Sequence, residues 1–329
     1  MKTLIFFNNI SRIGKTTLVY NFSYMLSELG YKTLAVDLDP QSNLTSMFLS
    51  GEELFDLYSN ENRSNSIAFG IKPYEKGSGD IAPVPVYNIN ENLALLPGDI
   101  DLSLFEDKLS FAWNNCAAGD AEALKIITSI YRIINAAATK INADFTIIDA
   151  GPNFGAINRS ALISADYVVI PVTTGIFSLH GLESLGNRIN VWKSKWQEII
   201  DNNNDKGLLL PNAKIEPLGY IILQNGVRNS SPVKTFKSWS DQIPEIYYRS
   251  VLNKVKPKSK NLHNDYYCLS LLKHYYSLTQ MSAEAKKPVF LLKPADGVIG
   301  AHSQAVLNAQ RDFKDLVQNV LVRTGITKS

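Results

Sequence analysis

The stretch at residues 4–17, LIFFNNISRIGKTT, constrains the fold more than any other part of the chain. Leu4-Ile5-Phe6-Phe7 is a run of large apolar residues and reads as a parallel strand buried on both faces. Gly14-Lys15-Thr16-Thr17 opens an amphipathic helix in which Leu18, Val19, Phe22, Met25, Leu26 and Leu29 recur at helical spacing, and Gly30 ends it. A short polar loop lies between. Strand, loop and helix in that order make a phosphate cradle, in which backbone N–H groups and a helix N-terminus face an anion. The match to G-x-x-x-x-G-K-[ST] is incomplete, because Asn9 stands in place of the first glycine. Gly-Lys-Thr alone also suits an ordinary helix start, so the reading depends on the rest of the chain.

Beyond this helix, strands and helices alternate. Residues 31–36 read as a second buried strand that delivers Asp37-Leu38-Asp39-Pro40-Gln41, and Ser42-Asn43 starts a short helix. Residues 50–90 are rich in Asn, Ser, Gly and Pro and read as a long surface excursion with some helix and a short hairpin. Further strands are expected at 93–96, 144–148, 167–172 and 218–223, and helices at 102–113, 121–138, 158–164 and 179–200. This order predicts an α/β fold: a doubly wound, mostly parallel twisted sheet with helices on both faces, and residues 1–329 as one domain. Ligands of such sheets sit at the carboxyl ends of the strands. The Gly-Lys-Thr loop, Asp39, Asp149 and Asn225 all fall there.

Composition narrows the class. A hydrophobic content of 45% supports a sizeable core, and a net charge of +2 implies no polyanionic partner unless the charge is local. Cys116 and Cys268 are far apart and form no C-x-x-C, which argues against a disulfide framework, a zinc site or an iron–sulfur site. Buried thiols are expected. Lys2 is followed by too short an apolar run for a signal peptide, and no stretch approaches the roughly 20 apolar residues of a spanning helix. A soluble cytoplasmic protein with no membrane partner is expected.

Nucleoside triphosphate hydrolysis needs donors and a cation for the phosphates, which Gly14 and Lys15 can supply. It needs a hydroxyl for Mg²⁺, for which Thr16 is placed. It needs a carboxylate after a buried strand to hold the metal or its water, which suits Asp149, and a second to orient the attacking water, which suits Asp37 or Asp39. Each piece has a bland reading on its own, a helix start or a turn. In order and at strand ends, they support one another.

These residues resemble the ParA/MinD family of deviant Walker-type ATPases, and its ParA partition branch most. The likeness rests on Gly14-Lys15-Thr16-Thr17, on VDLDPQSN at 36–43, on ENLALLP at 91–97 and on Ile148-Asp149-Ala150-Gly151-Pro152. It continues in ALISAD at 161–166, in Ile170-Pro171-Val172 and in AEAKKPVF at 283–290. The resemblance implies an ATP/ADP- and Mg²⁺-dependent switch that forms a homodimer on ATP. It also implies non-specific DNA binding and stimulation by a ParB-like or other partner protein, in plasmid or chromosome partition. By position, Ser11, Arg12, Ile13, Gly14, Lys15, Thr16 and Thr17 would hold the nucleotide phosphates, with Thr16, Asp37 and Asp149 near the metal. Lys15, Asp39 and Asp149 would be catalytic, with Asp39 as the water-activating carboxylate and Asn225 as the residue that reads adenine.

The loop departs from the family pattern K-G-G-x-G-K-[ST]-[ST]. Ile10 occupies the place of the lysine that reaches across the dimer, and Ser11 and Arg12 replace two glycines. Arg12 is a candidate replacement for the missing cation, because guanidinium suits phosphate oxygens; the alternative is that it points to solvent. The same departure supports a second reading, a nucleotide-binding regulator or scaffold of a mobile-element or defence operon with weak or no hydrolysis.

A basic segment lies at 246–264, where Arg249, Lys254, Lys256, Lys258 and Lys260 face no acidic neighbour in sequence. The four lysines alternate, so an extended chain would present them on one side, and Arg228, Lys234 and Lys237 are nearby. The readings are a DNA-backbone surface or a solvated loop. Tyr266-Tyr267 and Tyr275-Tyr276 are expected to pack against Leu269, Leu271 and Leu272 rather than to stack on bases. Val306, Ala309, Phe313, Leu316, Val317, Val320 and Leu321 form one stripe of a last helix that docks on the sheet.

Overall fold

Successive side chains of a strand point to opposite faces, and β1 (Lys2–Phe6) shows what that does to the layers. Leu4 and Phe6 enter one apolar core, while Ile5 and the adjoining Phe7 enter a second core on the other face. A strand apolar at every position is thereby buried on both sides, as an interior strand of a parallel sheet must be. The structure is a computed structural model and describes residues 1–59, 65–77, 79–117, 119–203, 207–212, 214–224, 239–257, 262–273, 275 and 277–326.

The remaining strands are β2 (Thr33–Leu38), β3 (Tyr87–Asn90), β4 (Leu93–Leu96), β5 (Phe145–Ala150), β6 (Tyr167–Thr173), β7 (Glu216–Gln224) and β8 (Cys268–Lys273). They form one sheet in the order β3-β4-β2-β5-β1-β6-β7-β8. Every pairing is parallel except the β3–β4 hairpin at one edge. The first core packs the sheet against α4 (Ile67–Lys76), α5 (Glu106–Cys116), α6 (Ala121–Lys140), α7 (Ala156–Ile163) and α8 (Ile176–Asp201). The second packs it against α1 (Lys15–Glu28), α2 (Asn43–Phe48), α3 (Gly51–Ser59) and the C-terminal helix (Ala301–Thr324). This is the doubly wound arrangement that the alternation predicts.

Two stretches differ from expectation. The excursion at 50–90 is not all surface: Ile67, Ile71 and Tyr74 of α4 are buried in the first core. Arg132 of α6 pins this segment, donating to Asp80 Oδ2 at 2.7 Å and to the Tyr74 hydroxyl at 2.7 Å. The second is β8, read in the sequence only as packing around tyrosines. It extends the sheet by pairing with β7, with Leu269 and Leu272 buried. The stripe on the C-terminal helix is buried as expected. Asn21 of α1 accepts from the Val289 amide at 2.8 Å and so ties the segment before that helix across α1. Cys116 is buried and Cys268 half-buried, both as free thiols. Among the described residues, no helix is long and apolar enough to cross a membrane.

Candidate functional site

The strand order decides the site. β5 lies between β2 and β1, with Asp37 in register with Asp149 and Phe6 in register with Asp149 on the other side. The two carboxylates and the end of β1, from which the loop departs, therefore meet at one edge of the sheet. Gly14 adopts φ +87°, a left-handed conformation that costs glycine little, and turns the chain into α1. Arg12, at φ +58°, takes the same region where a glycine would be easier. No side chain caps α1, so its first amides keep their donors for a ligand.

Lys15 is buried, and its Nζ donates to the Ala150 carbonyl and lies 3.9 Å from Asp149 Oδ1. Asp149 is fully buried, and neither carboxylate oxygen has a hydrogen-bond partner. Burial pushes its carboxyl up to about 6, outweighing the opposing pull of the Lys15 charge and of the nearby Thr16 hydroxyl. Asp37 is pushed up to about 7, by burial first and then by the Asp149 charge beside it. A buried carboxylate with two free oxygens, next to an ammonium group and a helix start, is a donor set that suits a hard cation shared with phosphate. Asp149 and Thr16 would hold Mg²⁺, which would neutralise phosphate charge there.

Asp37 is the more structural of the pair. Its Oδ2 accepts from the Thr45 amide and hydroxyl, each at 2.8 Å, and its Oδ1 accepts from the Asp39 amide at 3.2 Å. Thr45 Oγ1 also accepts from the Gly98 amide at 2.9 Å, which joins α2, β2 and the end of β4. Asp39 comes just after β2 and accepts from the Gln41 amide at 3.0 Å. The turn after Asp149 is held by Asn158 of α7, whose Oδ1 accepts from the Gly151 amide at 3.0 Å. Its Nδ2 donates to the carbonyls of Gly151 and Asn153, each at 2.9 Å. Thr45 and Asn158 were not singled out from sequence. Polar residues inside helices carry no local mark of such a role.

Ile10 is half-buried against its own chain. Asn8 bridges the Pro171 carbonyl and the Ile10 amide at 2.5 and 2.8 Å, and the Ile10 side chain rests on α8 at Gly181. A Cβ at Gly181 would come within 2.8 Å of Ile10 Cδ1, so this glycine makes room for the isoleucine. Arg12, Ile13, Gly14 and Thr17 line a cleft of about 140 Å³ together with Leu223 and Lys273 from the ends of β7 and β8. Ser11 and Arg12 are exposed, Ile13 is buried, and Thr16 and Thr17 are half-buried. Asn225 lies outside the described residues, as do Arg228, Lys234, Lys237, Lys258, Lys260 and Tyr276. Arg249 is set apart from the lysines: it lies in a helical turn, Tyr247–Val251, and pairs with Glu183 of α8 at 2.9 Å. Lys254 is exposed and Lys256 half-buried in irregular chain.

Residues 1–202 match the AAA domain family AAA_31. A Methanocaldococcus jannaschii protein described as uncharacterized is 30% identical over 244 residues, 73% of this chain and 79% of that one. The chromosome-partitioning ATPase Soj of Treponema pallidum is 31% identical over 186 residues, which are 56% of this chain and 62% of Soj. The chain thus spans less than two thirds of Soj's length. A Cyanothece McdA–ATP complex has the same fold, with a TM-score of 0.60 at 18% identity, covering 100% of this chain and 98% of that one. The family model covers more than half of the chain, and the chain belongs to the ParA/MinD family of P-loop ATPases.

Proposed function

We propose that this chain is an ATP- and Mg²⁺-dependent switch ATPase of the ParA type. It would form a homodimer on ATP, bind DNA without sequence preference and respond to an activating partner protein in plasmid or chromosome partition. The observation that carries the reading is Asp149: a fully buried carboxylate without hydrogen-bond partners, 3.9 Å from a buried lysine at the start of an uncapped helix. Lys15 and the α1 amides would hold phosphate, Thr16 and Asp149 the metal, and Asp39 the attacking water. The cleft between Thr17 and Leu223 would take the base, with Asn225 beyond β7. Residues 1–329 would act as one unit, and Lys254, Lys256, Lys258 and Lys260 would meet the DNA backbone.

Binding of Mg·ATP is measured by calorimetry, and subunit mass by light scattering with ATP and with ADP. The reading expects Mg²⁺-dependent binding and a doubling of mass with ATP alone. Absence of nucleotide binding overturns it. For DNA, charge reversal of the four lysines is expected to weaken salt-dependent binding, and unchanged binding refutes their role.

Ile10 favours a second reading. An apolar side chain packed on Gly181 supplies no cation to a partner's nucleotide, which supports a nucleotide-bound regulator with slow turnover. Arg12 remains the one candidate substitute within this loop. Equal ATP-driven dimerisation of wild type and Arg12→Ala rules it out. A rise in turnover in Ile10→Lys supports the slow-switch reading, and fast turnover in wild type refutes it.

A further inference from the structure

A second cavity, of about 440 Å³, lies outside the nucleotide site and is lined by residues of α5, α7 and α8 and by the turn before α6. Its volume is in the range of small-molecule sites. Arg159 of α7 lies over the indole of Trp113, with the guanidinium carbon 3.6 Å from the ring centroid. Arg159 Nε is buried without a hydrogen-bond partner, and so is Nε1 of Trp113, a residue only 3% exposed. Among the described residues, Arg159 makes no ion pair. The two carboxylates lining the cavity do not serve it: Asp120 Oδ1 caps α6 through the amides of Glu122 and Ala123, and Glu198 is exposed. Lys195 adds a further cation to the lining.

Buried donors are almost always satisfied in folded proteins. Here two residues that line one cavity each carry a buried donor that lacks an acceptor. The cation–π contact with the indole holds the guanidinium in place, and a guanidinium so held offers its remaining N–H groups as a fork for two oxygens. We propose that this cavity binds a small organic oxyanion, a carboxylate or a phosphate ester, with Arg159 as the anchoring fork and Trp113 Nε1 as a second donor. Burial lowers the Arg159 guanidinium to about 10, the direction expected of a cation that lacks a counter-charge. Arg159 directly follows Asn158, the clamp on the turn after Asp149, so the anchor and the clamp share one helical turn.

Citrate and inorganic phosphate are the probes, titrated separately into nucleotide-free full-length protein by calorimetry at constant ionic strength. Wild type, Arg159→Gln, Trp113→Phe and Lys15→Gln are compared. Saturable one-to-one binding of either probe is expected in wild type and in Lys15→Gln. It should weaken at least tenfold in Arg159→Gln and severalfold in Trp113→Phe, which keeps the stacking ring and removes the donor. Binding of citrate alone assigns a carboxylate ligand, and of phosphate alone a phosphate ester. Absence of saturable binding overturns the proposal. So does binding that survives Arg159→Gln and disappears in Lys15→Gln, because the probe then sits in the phosphate loop. Where circular dichroism shows Arg159→Gln unfolded, unchanged affinity in Trp113→Phe overturns it.

Discussion

Lys15 and Asp149 depend on each other. Each is buried, and the Lys15 ammonium lies 3.9 Å from the Asp149 carboxylate where the loop enters α1. Lys15→Gln removes the cation that would meet the phosphates and is expected to weaken Mg·ATP binding by about 100-fold, as read by calorimetry, with the far-ultraviolet spectrum unchanged. Asp149 allows a test with a worked sign. A carboxyl of an unfolded chain titrates near ~3.9, whereas in the folded chain burial raises Asp149 to about 6. The folded state holds this proton more tightly, so the group's contribution to stability is complete below about pH 4 and lost as pH rises through about 6. Asp149→Asn is expected to raise the melting temperature of nucleotide-free protein at pH 8, with the gain vanishing by pH 4.5. Scanning calorimetry at the two values checks this. The same variant should lose the Mg²⁺ dependence of nucleotide binding.

At the scale of elements, the site depends on how closely backbones approach. A Cβ on Gly98, after β4, would lie 2.9 Å from Asp37 Cγ and 3.1 Å from the Asp37 carbonyl oxygen. Part of that contact is backbone, which cannot rotate away. Gly98→Ala is expected to cost about 1–3 kcal/mol and to weaken Mg·ATP binding, because the displaced group is Asp37. Denaturant unfolding and calorimetry measure the two effects. The C-terminal helix is held differently, by apolar packing. Phe313 is buried against Tyr275 and Phe290, with ring centroids 5.9 Å away in each case. Phe313→Ala is expected to cost about 3–5 kcal/mol, read from the denaturation midpoint. The strand at 93–96 and the stripe on this helix were both legible in sequence, because each is written in a short apolar pattern, whereas the edge strand β3 that pairs with β4 was not.

For the whole molecule, both cores share every interior strand, since β1 contributes Leu4 and Phe6 to one and Ile5 to the other. Neither layer has a sheet of its own. A single calorimetric transition is therefore expected, and deletion of residues 301–329 should abolish cooperative unfolding rather than leave a smaller folded protein. Two separate transitions would show that the layers unfold independently.

The strand–loop–helix at 2–28, the carboxylates at the ends of β2 and β5, and the faces that the first and last helices bury were determined by the sequence alone. Each is written in residues close together along the chain, where periodicity and chain direction carry the information. The tertiary structure decided which of these came together. Asp37 stands beside Asp149 only because β5 inserts between β2 and β1, and Lys15 meets a carbonyl 135 residues away. The excursion at 50–90 hid a buried helix face at 67–76, since Ile67, Ile71 and Tyr74 find their partners on α6 and the sheet. Arg249 belongs to the basic run in sequence, and the fold sets it beside Glu183, 66 residues earlier. Burial and charge pairing depend on neighbours in space, and the order of strands in the sheet selects those neighbours.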